Sequence, residues 1–388
     1  MQMQAVAIGW YLYDLTGDPM TLGYAGLAVF LPVSLLTLPA GDVSDRVDRR
    51  WILGTMHLTL ALCATILLGL TATATAATGP FYAVLALSGM ARAFSAPAIQ
   101  SFTPFLVPRT QFANAVAWSS SASQTATILG PALGGFLYLF GPTVVFAACL
   151  AMSLLVASAL VSIRTQVAPA VVEAGSTALS RTAFGLRYVW RQPIVLGAIS
   201  LDMFAVLLGG VTALLPVFAR DILGVGPDGL GLMRSSVAAG AVSMALLLAT
   251  LPAARHPHAG LTIFLGVALF GAAILVFGLS TSFVLSLVAL FVMGLGDMAS
   301  VFVRSTVVQL AAPDEMRGRV SAVYMLFVGA SNELGEFRAG LAAAWLGAVP
   351  AVLLGGASTL AVVALWAWLF PGLRRIDRLA DVAPRPGS

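Results

Sequence analysis

Several ionisable side chains stand where apolar surroundings make charge expensive. Arg92 lies near the middle of the apolar run 80–103, Asp202 about nine residues into 194–218, and Asp297 within 282–304. Glu333 and Glu336, three apart and so on neighbouring parts of one helical face, lie within 320–346 with Arg338 close by. A charge at mid-bilayer costs roughly 2.5–3.5 kcal/mol on insertion scales, so each needs a partner, a wet cavity or a task. Two readings stay open. A carboxyl that passes between an apolar and an arginine-lined setting can take a proton from one side and release it on the other. Asp202 is then the leading carrier, with Glu336 or Asp297 next, and Arg92 is its cationic partner or a contact for an anionic substrate. The other reading is buried ion pairs that only hold spans together.

Other chemistry finds little support. All 20 basic residues are arginine, which excludes a phosphate-gripping Walker lysine and lysine Schiff-base chemistry. Cys63 and Cys149 fall inside apolar spans and read as packing residues. His57, His256 and His258 lack metal-ligand spacing on a shared helix face. No metal, cofactor or enzymatic activity is expected, and no nucleic-acid partner.

The elements that position these charges follow from composition. The 388 residues are 59% hydrophobic and only 9% charged, with a mean hydropathy of +0.96, whereas a soluble domain carries about 25% charge. Apolar runs predict twelve spans: 1–14, 20–41, 51–71, 80–103, 114–140, 143–163, 194–218, 229–252, 260–279, 282–304, 320–346 and 349–370. With a cytoplasmic N-terminus, fifteen arginines fall in inside segments and only Arg220 outside, while Arg92, Arg234, Arg304 and Arg338 fall within spans. Both termini are therefore expected to be cytoplasmic. The domains expected are an N-terminal helical bundle (1–163), a cytoplasmic linker (164–193), a C-terminal bundle (194–371) and a cytoplasmic tail (372–388).

The two bundles read as a duplication. Thr37-Leu38-Pro39-Ala40 recurs as Thr250-Leu251-Pro252-Ala253, and a shift of 205 residues pairs Gly89 with Gly294, Pro108 with Pro313, Gly130 with Gly335 and Gly135 with Gly340. The same shift sets Arg92 opposite Asp297. It also implies that the first span lacks its first half, since the counterpart of Pro193 would precede Met1 by about a dozen residues, and about 14 residues cannot cross a core about 30 Å thick.

The turn Gly41-Asp42-Val43-Ser44-Asp45-Arg46-Val47-Asp48-Arg49-Arg50 resembles the loop signature of the major facilitator superfamily, with Asp48 where a second glycine is usual. The run Ala126-Thr127-Ile128-Leu129-Gly130-Pro131-Ala132-Leu133-Gly134-Gly135 is similar to the glycine–proline motif of that family's antiporters. Arg317-Gly318-Arg319-Val320-Ser321-Ala322 and Ser331-Asn332-Glu333-Leu334-Gly335-Glu336-Phe337 resemble the branch of enterobactin exporters and macrolide-efflux-like proteins, the transmembrane secretion effectors. The resemblance covers essentially the whole chain.

It implies an all-α polytopic membrane protein of the major facilitator fold, with two pseudo-symmetric six-helix bundles and spans one, four, seven and ten lining a central cavity. It implies that Gly41, Asp45, Arg46, Arg49 and Arg50 form a conformational latch, and Gly130, Pro131, Gly134 and Gly135 an exporter hinge. Apart from the resemblance, Trp10, Tyr11, Met203 and Phe204 read either as an adaptable apolar pocket or as lipid-facing or packing residues. The function expected is proton-coupled efflux of an amphipathic or hydrophobic small molecule, drug or siderophore-like, by a monomer in a bacterial inner membrane. The alternatives are an uptake or facilitative transporter of the same fold, and a non-transporting degenerate paralogue or sensor.

Overall fold

A computed structural model describes residues 1–106, 111–163, 178–250 and 258–377. Described in chain order, the helices are α1 (Gln2–Thr16), α2 (Pro19–Arg46), α3 (Arg49–Ala72), α4 (Gly79–Leu106), α5 (Phe112–Tyr138) and α6 (Pro142–Ser162). They continue as α7 (Ala178–Arg191), α8 (Pro193–Gly209), the short α9 (Leu215–Val217), α10 (Pro227–Thr250), α11 (Ala259–Leu279), α12 (Phe283–Ala311), α13 (Asp314–Leu346), α14 (Ala348–Leu369) and the short α15 (Pro371–Arg374). The described residues contain no strand. In lipid this is the physical requirement, because a helix satisfies its own backbone where no water can.

Among the described residues, each of the twelve expected spans is largely helical. Eight helical segments are long and apolar enough to cross a membrane by length and composition, among the described residues. Polar residues dilute two of the others: α5 carries Ser119, Ser120, Ser121, Ser123 and Gln124, and α13 carries Glu333, Glu336 and Arg338. The seventh span departs from the continuous rod expected over 194–218. It stops at Gly209, makes a 3-10 turn at Thr212–Leu214, and ends in a π turn at Phe218–Ile222. The adjacent Gly209 and Gly210 lower helix propensity at the break.

Helix starts follow local chemistry. Asp18 caps α2, its Oδ1 accepting from the Met20 amide at 2.9 Å, and Asp48 caps α3 from the Arg50 amide at 3.0 Å. Proline occupies the first turn of α2, α6 and α8, where no amide partner is lost.

The chain divides into two compact units, 1–178 with 226–231, and 179–225 with 232–388. In the first, Ala7 and Leu12 of α1 pack with Leu67 of α3, Phe81 of α4, and Phe146 and Cys149 of α6. In the second, Leu201 of α8, Ile263 of α11, Val303 and Val307 of α12, Val320 of α13 and Val362 of α14 share a core. Large apolar side chains such as Leu35, Leu155 and Leu279 face outward and are exposed, as lipid permits.

The duplication shows in the packing itself. A Cβ on Gly89 of α4 would strike the Val29 carbonyl of α2, and one on Gly294 of α12 would strike the Val237 carbonyl of α10. One on Gly130 of α5 would meet Gln2 of α1, and one on Gly335 of α13 would meet Val206 and Leu207 of α8. Gln2 and Leu207 are themselves 205 residues apart, so contact and register agree. The hairpin turns agree too: Gly141 between α5 and α6 has φ 107°, and Gly347 between α13 and α14 has φ 87°, a region that favours glycine.

Candidate functional site

The most enclosed charges of the second unit meet between α8, α12 and α13. Asp202 on α8 is 5% exposed and Arg304 on α12 is 1% exposed. Arg304 Nη1 lies 2.8 Å from Asp202 Oδ1. Along α12, residues 297, 300 and 304 fall on one stripe of the helix, which brings Ser300 Oγ within 3.3 Å of Arg304 Nη1. Tyr324 of α13 closes the other side: Arg304 Nε donates to Tyr324 Oη at 3.3 Å, and the guanidinium lies 5.7 Å from the ring centroid. Arg304 Nη2 is buried with no partner among the described residues. Asp297 is half-buried on the same stripe and interacts electrostatically with both Asp202 and Arg304. One guanidinium thus pairs with Asp202 and lies within electrostatic reach of a second carboxyl, Asp297, and with both carboxyls ionised, binding of a single proton makes the triad neutral.

Asp202, for which Arg92 was expected as cationic partner or as a contact for an anionic substrate, has Arg304 as its ion-pair partner. Arg92 is exposed on α4 of the first unit. Arg304, Ser300 and Tyr324 carried no expectation from the sequence. The signal was present: an arginine inside an apolar span needs a counter-charge, and Arg304 shares its helix stripe with Asp297.

A second cluster sits on α13. Glu336 Oε1 accepts from Thr212 Oγ1 at 3.0 Å, and Arg234 of α10 is within electrostatic reach of it. Arg338 is turned elsewhere, its Nη2 3.4 Å from the point a Cβ on Gly355 of α14 would occupy; residues two apart on a helix face different ways. Arg234 Nε, and Arg338 Nε and Nη2, are buried without hydrogen-bond partners among the described residues. Glu333 is half-buried one turn before Glu336.

In the expected latch, Gly41 falls inside α2, which runs through Asp45 and Arg46; the side chains of those two lie outside the described residues. Arg49 is 4% exposed. Arg50 gives Nη2 and Nε to Asp48 Oδ2 at 3.0 and 3.2 Å, and Nη1 to the Ile163 carbonyl at 2.6 Å. It therefore ties the start of α3 to the end of α6. Burial pushes the Asp48 carboxyl upward, but its bonds to Arg50 and the charges of Arg50 and Arg49 outweigh that and hold it below the usual carboxylate range. Asp48, the departure from the family glycine, is thus both helix cap and ion partner.

The glycine–proline segment of α5 makes close helix contacts. A Cβ on Gly134 would lie 2.8 Å from Met3 Cα of α1, and one on Gly135 would strike the Pro227 carbonyl, in the first turn of α10 that groups with this unit. Pro131 lies inside the helix. Of the expected pocket aromatics, Tyr11 packs on Phe81 with centroids 5.3 Å apart, and Phe204 on Trp366 at 5.2 Å. Trp10 and Met203 are half-buried.

Long apolar helices with charges held inside them define a polytopic membrane protein. The chain belongs to the transmembrane secretion effector family, whose model matches residues 1–385. Macrolide efflux protein A of Streptococcus pyogenes is 31% identical over 133 residues, 34% of this chain and 33% of that protein. An uncharacterized MFS-type transporter of Mycobacterium bovis is 39% identical over 113 residues, 28% of this chain and 25% of that one. The chain thus spans about a third or less of the length of these relatives. Solved structures share the fold. A peptide transporter matches with TM-score 0.75 and 12% identity over 97% of this chain and 93% of that one. A bacterial homologue of the lysosomal transporter Spinster matches with TM-score 0.66 and 16% identity over 100% and 97%. Family and relatives are transporters rather than enzymes, and the chain is a multi-pass membrane protein of a kind with bacterial relatives.

Proposed function

We propose that the chain is a proton-coupled exporter of amphipathic or hydrophobic small molecules, working by alternating access in a bacterial inner membrane with both termini cytoplasmic. The observation that carries the proposal is the triad of Asp202, Arg304 and Asp297. One carboxyl paired with a buried guanidinium and a second within its electrostatic reach form a group whose charge changes by one when a proton binds. Such a change alters the cost of keeping the triad in a low-dielectric interior and so couples protonation to conformation. Similarity to a macrolide efflux protein and the glycine–proline motif of α5 support the outward direction. The arginine distribution supports the orientation.

Inside-out vesicles from a pump-deficient host test this, with a macrolide and a panel of lipophilic dyes as probes. Accumulation is expected to follow an imposed pH gradient and to stop when a protonophore collapses it. Asp297→Asn is expected to abolish gradient-driven accumulation while leaving downhill exchange. Gradient-driven transport that survives in both Asp297→Asn and Asp202→Asn would remove the triad from coupling.

A further inference from the structure

We propose that α7 is a surface site for anionic phospholipid headgroups. The segment 178–191 contains three arginines, a phenylalanine, a tyrosine and a tryptophan, and no acidic residue. One face of the helix is fixed to the second unit: Val189 is 2% exposed in its core, and Tyr188 Oη donates to the Ala311 carbonyl at 2.8 Å. At a helical step of about 100° per residue, the opposite arc carries Leu186, Trp190, Arg187, Arg191 and Phe184 in angular order, all of them exposed. Arg319 of α13 joins this surface with its guanidinium 5.4 Å from the Phe184 ring centroid. Neither Arg187 nor Arg191 forms an ion pair among the described residues.

Chain continuity says what covers the arc. Only Gln192 separates Arg191 from Pro193, the first residue of a span, so Trp190 and Arg191 lie at the boundary of the apolar layer. An exposed tryptophan and phenylalanine flanking exposed guanidiniums suit that depth: the rings enter the headgroup region while the cations meet phosphates. A soluble acidic protein would match the charge but leave Trp190 at the bilayer edge without a role.

The test reads Trp190 directly and needs no transported substrate. The full chain is reconstituted in vesicles containing phosphatidylglycerol or phosphatidylcholine with brominated tails, and Trp190 quenching is taken as the difference between wild type and Trp190→Phe. Each arginine near an anionic surface gives about a fivefold local enrichment of anionic lipid, so brominated phosphatidylglycerol is expected to quench Trp190 more strongly at equal content. In Arg187→Gln/Arg191→Gln the two lipids are expected to quench alike, and in wild type the difference is expected to shrink as salt rises. Equal quenching of wild-type Trp190 by both lipids overturns the proposal, as does quenching by neither, the result for a helix covered by a soluble partner. Both outcomes are independent of whether proton coupling is found.

Discussion

At the scale of single residues, the two aspartates of the triad should behave differently. Asp202 holds Arg304 at 2.8 Å with both almost fully enclosed. Removing one partner of a buried ion pair leaves an uncompensated charge, at a cost of about 3–5 kcal/mol. Asp202→Asn is therefore expected to lower the thermal midpoint of the detergent-purified protein markedly, with Asp202→Glu recovering most of it. Asp297→Asn leaves the close pair intact and is expected to change stability by less than about 1 kcal/mol. A midpoint for Asp297→Asn as low as that for Asp202→Asn would show that the two carboxyls are not distinct in role. Part of this site was legible in advance, because Asp202 and Asp297 announce themselves as charges in apolar sequence. The partner of Asp202 was not, since the choice of Arg304 depends on which stripe of α12 faces α8, and that is decided by packing. Glu336 shows the same limit: its neighbour in sequence, Arg338, is turned toward Gly355, and the cation within its electrostatic reach is the sequence-distant Arg234.

At the scale of elements, the junction between α3 and α6 rests on one arginine and its acid. Asp48 caps α3 and holds the guanidinium that reaches the Ile163 carbonyl. Asp48→Ala removes the cap and frees Arg50, and is expected to destabilise the first unit by about 1 kcal/mol. The pH dependence has a definite sign. A carboxyl held below its unfolded value of about 3.9 contributes fully above that value. Its contribution is lost as pH falls through the lower folded value. The difference in midpoint between wild type and Asp48→Ala should thus be constant near neutrality and shrink in acid. A difference that instead grew in acid would contradict the ion partner assigned here. Close glycine contacts act on α5 in the same local way. With Met3 Cα only 2.8 Å from the site of a Cβ, Gly134→Leu is expected to force α1 from α5 and lower the yield of folded protein, whereas substitution at Gly54, which has open space, is expected to be tolerated. Expression monitored by size-exclusion profile separates the two.

At the scale of the whole molecule, the helices were legible because lipid leaves little choice: about 20 apolar residues between polar punctuation form a helix that crosses. The duplication was legible through glycines whose spacing proves to be contact geometry, as at Gly89 and Gly294. The break after Gly209 was not, because its flanks are as apolar as the span it interrupts. The sidedness proposed for these helices rests on arginine distribution, which acts during insertion and leaves no mark on packing within a unit. It is open to direct test because the two native cysteines, Cys63 and Cys149, are buried and should not react with a bulky maleimide. Asp18, between α1 and α2, is exposed, and so is Asp377 after α15. A cysteine at Asp18 is expected to be labelled by a membrane-impermeant maleimide in intact spheroplasts, and one at Asp377 only after permeabilisation. Labelling of both from one side would contradict the odd number of crossings expected between them, and reversed labelling would invert the direction in which the proposed proton flow could drive export.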